Sequence, residues 1–282
     1  MKNAKNMMLA VLTSVLIVGC GTAEVDSESP EAKKAMLFYQ QGTQELIGKN
    51  YTQALTYLLK AKELDSGNDQ IRNNLGMAYY LKGQAEKAKA EFDKALSINP
   101  KNSDARNNYA SILFEQKKYK EALKEYIKVT EDLTYNRLFR VYYNMGLIYN
   151  VQGNEDQAKE FFDKSVADKN DYCPAHYQLG QYYTQKYKYN DALSAYKESI
   201  KGTCVNEPAS HFELGLTLQR LNRLGEAELK FKEIMEKFPK NKFSVLAKEE
   251  LSKIADENEI AARAKVQRKS TEENNSFETP NF

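Results

Sequence analysis

Apolar residues recur along the chain at helical spacing. Leu75, Tyr79 and Tyr80 form one set, and Ala88, Phe92, Ala95 and Leu96 form the next, so that each set lies on one face of a helix. The pattern then repeats. A small residue stands at Gly42, Gly76, Ala110, Gly146, Gly180 and Gly215, at spacings of 34, 34, 36, 34 and 35 residues. Twelve residues after each comes alanine, at Ala54, Ala88, Ala122, Ala158, Ala192 and Ala227. Four further on stands a bulky side chain: Leu58, Phe92, Tyr126, Phe162, Tyr196 and Phe231. Antiparallel helices approach to about 8–10 Å only where the crossing residues are small. The two small positions therefore mark a helix crossing, and the bulky residue one turn later fills its seam. Breakers fall where turns are needed: Gly83, Gly153 and Asn222 within pairs, Asn99-Pro100 and Phe238-Pro239 after them. Because the internal offset never changes, the longer spacing near Leu133 to Asn136 belongs between pairs. The pattern predicts an all-α chain of six helical hairpins stacked as a solenoid, with an amphipathic helix from Phe243 to Ile254 covering the last open face.

Ahead of the repeats, Lys2 and Lys5 precede an apolar run, Met7 to Gly19, that is too short to span a bilayer as a stable helix and reads as a secretory signal. Its end, Ile17-Val18-Gly19-Cys20, resembles the lipobox of bacterial lipoproteins. The resemblance implies removal of residues 1–19 and acylation of Cys20 as the first mature residue. Gly21, where an Asp would retain the protein at the inner membrane, implies the periplasmic face of the outer membrane of a Gram-negative bacterium. The alternative is that Cys20 merely ends an ordinary signal or anchor. Each buried acyl CH₂ contributes about 0.8 kcal/mol, so three chains hold a protein on a membrane durably. Residues 20–34, poor in apolar content, read as a flexible tether. No later segment reaches 18 consecutive apolar residues.

Composition narrows the function. With 282 residues, 41% hydrophobic and 28% charged, the chain builds packed structure and is not a disordered protein. Its formal charge is +2 and falls near zero without the leader lysines, so a nucleic acid gains little counterion release from it. Three cysteines cannot form a dense disulfide framework or two four-ligand zinc centres, two histidines leave almost nothing for a histidine-based site, and no metal or other cofactor is expected. Neither a Gly-rich phosphate loop nor a Ser-centred elbow is present, so no catalytic residue is assigned and no small-molecule substrate is expected.

The paired small residues and the aromatic that follows resemble the tetratricopeptide repeat, with Gly or Ala at position 8, Ala at 20, an aromatic at 24 and Pro at 32. The resemblance implies a right-handed superhelical solenoid of six repeats over residues 35–241, a capping helix over 242–256 and a charged, mobile tail over 257–282. The usual Trp at position 4 is replaced by Phe38, Arg72, Arg106, Tyr142, His176 and His211. Cys173 and Cys204 fall at positions 1 and 32 of the fifth repeat, at one end of its hairpin, where an oxidising compartment would join them. Two free buried thiols, or a redox pair, are the other readings. His176, three residues after Cys173, allows a Cys–His nucleophile, although a partly buried imidazole at a packing position explains it as well.

In this repeat family, positions 2, 5, 9, 12 and 13 line the concave face. Here the corresponding apolar row contains Tyr39, Leu46, Ile47, Met77, Tyr80, Leu81, Phe114, Tyr143 and Leu147, either ordinary packing or a groove for a partner peptide. Asn74, Asn108 and Asn144 at position 6 either bond a ligand backbone or brace neighbouring helices.

Lipobox, tether, repeats and tail together resemble the PilF/PilW/Tgl group of type IV pilus pilotins, as do Gly-Thr-Gln-Glu-Leu at 42–46, Asn-Leu-Gly-Met-Ala-Tyr-Tyr at 74–80 and Asn-Asn-Tyr-Ala-Ser-Ile-Leu at 107–113. The resemblance implies an outer-membrane lipoprotein that binds secretin subunits and promotes their localisation or assembly. Two other readings are an adaptor for peptidoglycan hydrolases or β-barrel assembly and, more remotely, a thiol-exchange enzyme.

Overall fold

The computed structural model describes residues 29–276, with side chains through 268; the leader, Cys20 and the final residues lie outside the described residues. Among the described residues there are thirteen α-helices, one 3-10 turn and no strand, so the all-α expectation holds. The chain divides after Ala105 into two compact units.

The first unit holds two hairpins, α1 (Pro30–Ile47) with α2 (Tyr51–Leu64) and α3 (Asp69–Leu81) with α4 (Ala85–Ile98). Helix α1 opens on a capped end: the Ser29 hydroxyl accepts from the Ala32 N–H at 3.0 Å and Pro30 takes the first position. Helix α3 is capped by Asn68, whose side-chain oxygen accepts from the N–H groups of Gln70 and Ile71 at 3.1 and 3.2 Å. Ala54, Leu58, Leu75 and Ala78 are fully buried and form the unit's core, with Tyr39, Leu46 and Tyr79 packed against them.

The second unit begins within α5 (Ser103–Glu115) and continues through α6 (Tyr119–Thr130), α7 (Leu138–Val151), α8 (Glu155–Asp168), α9 (Cys173–Gln185), α10 (Tyr189–Ser199), a 3-10 turn at Gly202–Cys204, α11 (Pro208–Arg220) and α12 (Leu224–Lys237). The extra residues fall in the connection between α6 and α7, where the N–H and hydroxyl of Thr134 both donate to Asp132. Instead of one central core the unit carries successive clusters, centred on Tyr126 and Val141, on Phe162 and Leu179, and on Tyr196, Phe231 and Ile254. A helical hairpin cannot bury its apolar face alone, so each pair is completed by the next.

The hairpin crossings are as tight as the small residues predict. A Cβ added at Gly42, Gly76, Gly146, Gly180 or Gly215 would lie 2.5–2.8 Å from the side chain sixteen residues on. A second pairing, nineteen residues apart, was not part of the expected pattern. Phe38 stacks on Tyr57 at 6.3 Å and Tyr142 lies against Phe161 at 6.4 Å, whereas Arg72 pairs with Glu91 at 2.8 Å and Arg106 with Glu125 at 2.6 Å. In four of the six hairpins the Trp position is thus filled either by an aromatic with an aromatic partner or by an arginine with a glutamate; His176 and His211, in the other two, face Ala195 and Lys230 at that offset.

Every hairpin turns through one residue in the left-handed region: Lys49, Gly83, Lys117, Gly153, Tyr187 and Asn222, with φ between +56° and +77°. At each, two hydrogen bonds close the end of the first helix, as where Lys117 N–H donates to Phe114 O and Lys118 N–H to Leu113 O, both at 2.8 Å. A side chain at such a place costs roughly 1–2 kcal/mol, part of which glycine would lose again through its freer unfolded chain. Lys117→Gly is therefore expected to stabilise the protein by about 0.5–1 kcal/mol, read as a rise in the urea midpoint at unchanged slope.

After the last hairpin, α13 runs from Lys242 to Ser276. Ala247 and Ile254 are fully buried, and Phe243 and Leu251 pack beside them against α11 and α12. The helix does not stop at 256: the segment read as a tail from 257 continues as helix, with residues 257–268 exposed. The expected boundary followed the loss of apolar periodicity. Ala, Glu, Lys and Arg, which are abundant there, extend a helix without needing a buried face.

Candidate functional site

The apolar row divides by environment within each unit. In the first, Tyr39 and Leu46 pack against the core, Met77 and Tyr80 are half-buried, and Ile47 and Leu81 are 71% and 40% exposed. Leu81 borders an open depression of about 710 Å³ with Lys49, Tyr51 and Gln53. In the second unit, Phe114 packs on Tyr119 at 5.8 Å and Leu147 on the Phe162 cluster. Tyr143 sits 5.9 Å from Phe162 and 5.4 Å from Tyr172, and its burial pushes the phenol up to about 12. Exposed apolar surface from this row is thus concentrated at the ends of α1 and α3.

The recurrent amides brace the fold. Asn74 donates to the Thr43 hydroxyl at 2.8 Å, and that hydroxyl donates to the Tyr39 carbonyl at 2.8 Å. Asn144 donates to the Tyr126 hydroxyl at 3.0 Å, which also bonds Ser111 at 3.0 Å. Burial pushes that phenol up to about 12.

Cys173 and Cys204 are joined in a disulfide with their Cα atoms 6.1 Å apart. A bonded sulfur is no thiolate, and His176 turns away to share a hydrogen with the Asn170 carbonyl at 2.7 Å. His211 does the same with Val205 at 2.9 Å, and Arg72 with Ser66 at 3.1–3.3 Å. These three position-4 donors each hold the carbonyl six residues upstream. Burial of His211 lowers its basicity, so its imidazole favours the neutral form. Among the described residues no group of three or more His, Cys, Asp or Glu could hold a metal ion, and no helix is long and apolar enough to cross a membrane.

One titratable residue escaped the sequence reading. Glu213 on α11 stands at position 6, where Asn74 and Asn144 carry amides, and is half-buried. Burial pushes its carboxyl above the usual range, offset only in part by Arg220. The signal that could have found it is the break in the amide series.

The hairpins have the tetratricopeptide-repeat solenoid fold, and family models described as tetratricopeptide repeat match residues 33–103, 82–134 and 139–167. More particularly, the chain is similar to the type IV pilus assembly protein PilF of Pseudomonas aeruginosa, with 32% identity over 164 residues, covering 56% of this chain and 64% of that protein. It thus spans just under two thirds of that relative's length. A solved structure of Pseudomonas aeruginosa PilF superposes with a TM-score of 0.69 at 23% identity, covering 79% of this chain and 100% of that one. PilW, described as a widely conserved type IV pilus biogenesis factor, superposes with a TM-score of 0.65 at 21% identity, covering 75% and 98%. At these identities the two structures establish a common fold.

Proposed function

We propose that this chain is an outer-membrane lipoprotein scaffold of type IV pilus biogenesis that holds secretin subunits while they localise or assemble. The observation that carries the reading is its 32% identity over 164 residues to the Pseudomonas aeruginosa pilus assembly protein. The Ile17-Val18-Gly19-Cys20 leader supports the anchor, and the exposed Ile47 and Leu81 support a protein-binding surface. In this reading acylated Cys20 fixes the repeats to the periplasmic leaflet, and the short tether turns a three-dimensional search for the partner into a surface-confined one. Binding and placement are the whole of the work.

Cys20→Ala is expected to abolish membrane fractionation and to reduce secretin multimers and surface pili at least tenfold. Photo-crosslinkers at Ile47 and Leu81 in the full chain are expected to capture a secretin subunit. Wild-type levels of multimers and pili in the Cys20→Ala strain would sink the localising role. Capture of a cell-wall hydrolase instead would replace the partner.

A further inference from the structure

Helix α13 extends well past its packing. It meets α11 and α12 through Phe243, Ala247, Leu251 and Ile254, and Ile254 is its last buried residue among the described side chains. Residues 255–268 are all exposed, and the helix runs on to Ser276, about 30 Å beyond that anchor at roughly 1.5 Å per residue. A helix of this length without packing is marginal in water, and the Glu259–Arg263 pair at 2.5 Å is its local support among the described residues.

The uncovered surface is patterned. At about 100° per residue, Leu246 and Ala264 stand about 40° from Ile260 and Val245 about 60°, whereas the four packed residues stand about 100° or more away. Ile260 is 68% exposed and Val245 62%. An apolar stripe therefore points away from the body of the protein. Charge is ordered along it. Between residues 256 and 268 the acids Asp256, Glu257 and Glu259 come first, and the bases Arg263, Lys265 and Arg268 follow.

That order selects the occupant. A partner helix of a single charge sign meets repulsion along half of the stretch, and a parallel copy sets like charge against like. An antiparallel copy sets acid against base throughout. With the midpoint level with Ala262, Ile260 falls opposite Ala264 of the second copy, a large side chain against a small one. Glu257 then falls within one residue of the level of Arg268 of the second copy. Both charges stand on the same flank of the stripe, about 60° and 80° from Ile260. Among the described residues no ion pair engages Glu257 or Arg268.

We propose that the exposed part of α13 pairs antiparallel with the same helix of a second copy, forming a two-fold homodimer with Ile260 against Ala264 and Glu257 against Arg268. Such a contact uses the same patch on both copies and closes on itself, so assembly stops at two. The dimer carries two sets of repeats, which makes it bivalent toward any partner with repeated subunits. The pairing stands independently of the pilus reading.

The test is sedimentation equilibrium of the full chain in density-matched detergent, where a monomer–dimer equilibrium at micromolar concentration is expected. Glu257→Arg and Arg268→Glu should each weaken the dimer at least tenfold. Their combination should restore it to within about threefold, which shows that charge and not folding was lost. Orientation is read by oxidation. Glu257→Cys/Arg268→Cys should form a covalent dimer well above the level of the unsubstituted chain. Either cysteine alone, about 15–18 Å from its mate in this register, should not. A chain that stays monomeric at hundreds of micromolar, single variants that associate as the wild type does, a combination that fails to recover, or bridging by one cysteine alone would each overturn the pairing.

Discussion

Gly146→Ala is expected to destabilise the protein by about 1–3 kcal/mol, although alanine is the better helix former by about 1 kcal/mol. The reason is the fourth crossing, where an added Cβ would meet Phe162 Cε1 at 2.6 Å, Phe162 Cδ1 at 2.7 Å and the Ala158 carbonyl oxygen at 3.1 Å. Phe162 is 2% exposed and has Tyr143 5.9 Å away, so its ring moves only by giving up packing contacts. The backbone oxygen yields only if α8 moves as a body. Ala110 occupies the equivalent place in the third hairpin, fully buried, so the cost reflects the settled position of Phe162 and not a general ban on a methyl group. Two measurements separate these causes. Gly225→Ala, where nothing lies within 4 Å of the added atom, should be neutral or slightly stabilising. In a double-mutant cycle, Gly146→Ala combined with Phe162→Leu should cost about 1–2 kcal/mol less than the sum of the single changes. Additive costs would mean that the ring is not what the methyl strikes.

Loss of the Cys173–Cys204 bond is expected to cost about 3–4 kcal/mol in the chain-entropy estimate for a closed loop of this length. The bridge spans a sequence separation of 31 and joins the first residue of α9 to the turn after α10. The lower end of that range is favoured, because the turn has other ties. The Val205 carbonyl accepts from Lys237 Nζ at 2.6 Å and lies 2.9 Å from His211 Nε2, and both hold the segment when the sulfurs part. Urea unfolding of Cys173→Ala/Cys204→Ala against the wild type measures the loss, and reductant should reproduce it in the wild type alone. Hydrogen exchange should rise first in α9 through α11, the elements the loop anchors. An unchanged midpoint in a chain whose thiols label after reduction would remove the bridge from the stabilising interactions.

In four of the six hairpins a pair at offset nineteen stands in for the usual Trp. Arg106 and Glu125 place a charge-assisted bond where Phe38 and Tyr57 place a stack. Burial pushes the Glu125 carboxyl up, but hydrogen bonds from Lys128 and Arg106 outweigh it and hold it below the usual carboxylate range. Either solution joins the two helices of a hairpin at the same height, and the choice of one partner dictates the other. That covariation is legible in the sequence once the offset is known.

What the chain alone determined is the register of the hairpins. Gly76, Ala88 and Phe92, and the five sets like them, lie within a few turns of one another, and their sizes suffice to say which helices cross and where. The start of the covering helix near Phe243 was legible for the same reason, a local apolar period. Tertiary structure decided what depends on contacts between helices. Lys49, Lys117 and Tyr187 take a left-handed conformation their side chains disfavour because the paired helices on either side impose the turn. Asn74 and Asn144 became braces because acceptors from other helices arrived within 3.0 Å, whereas Glu213 was half-buried with only a partial offset from the charge of Arg220. Residue type sets what a side chain can donate or accept; only packing sets whether water is taken from it and a partner supplied, and on that difference the candidate site depends.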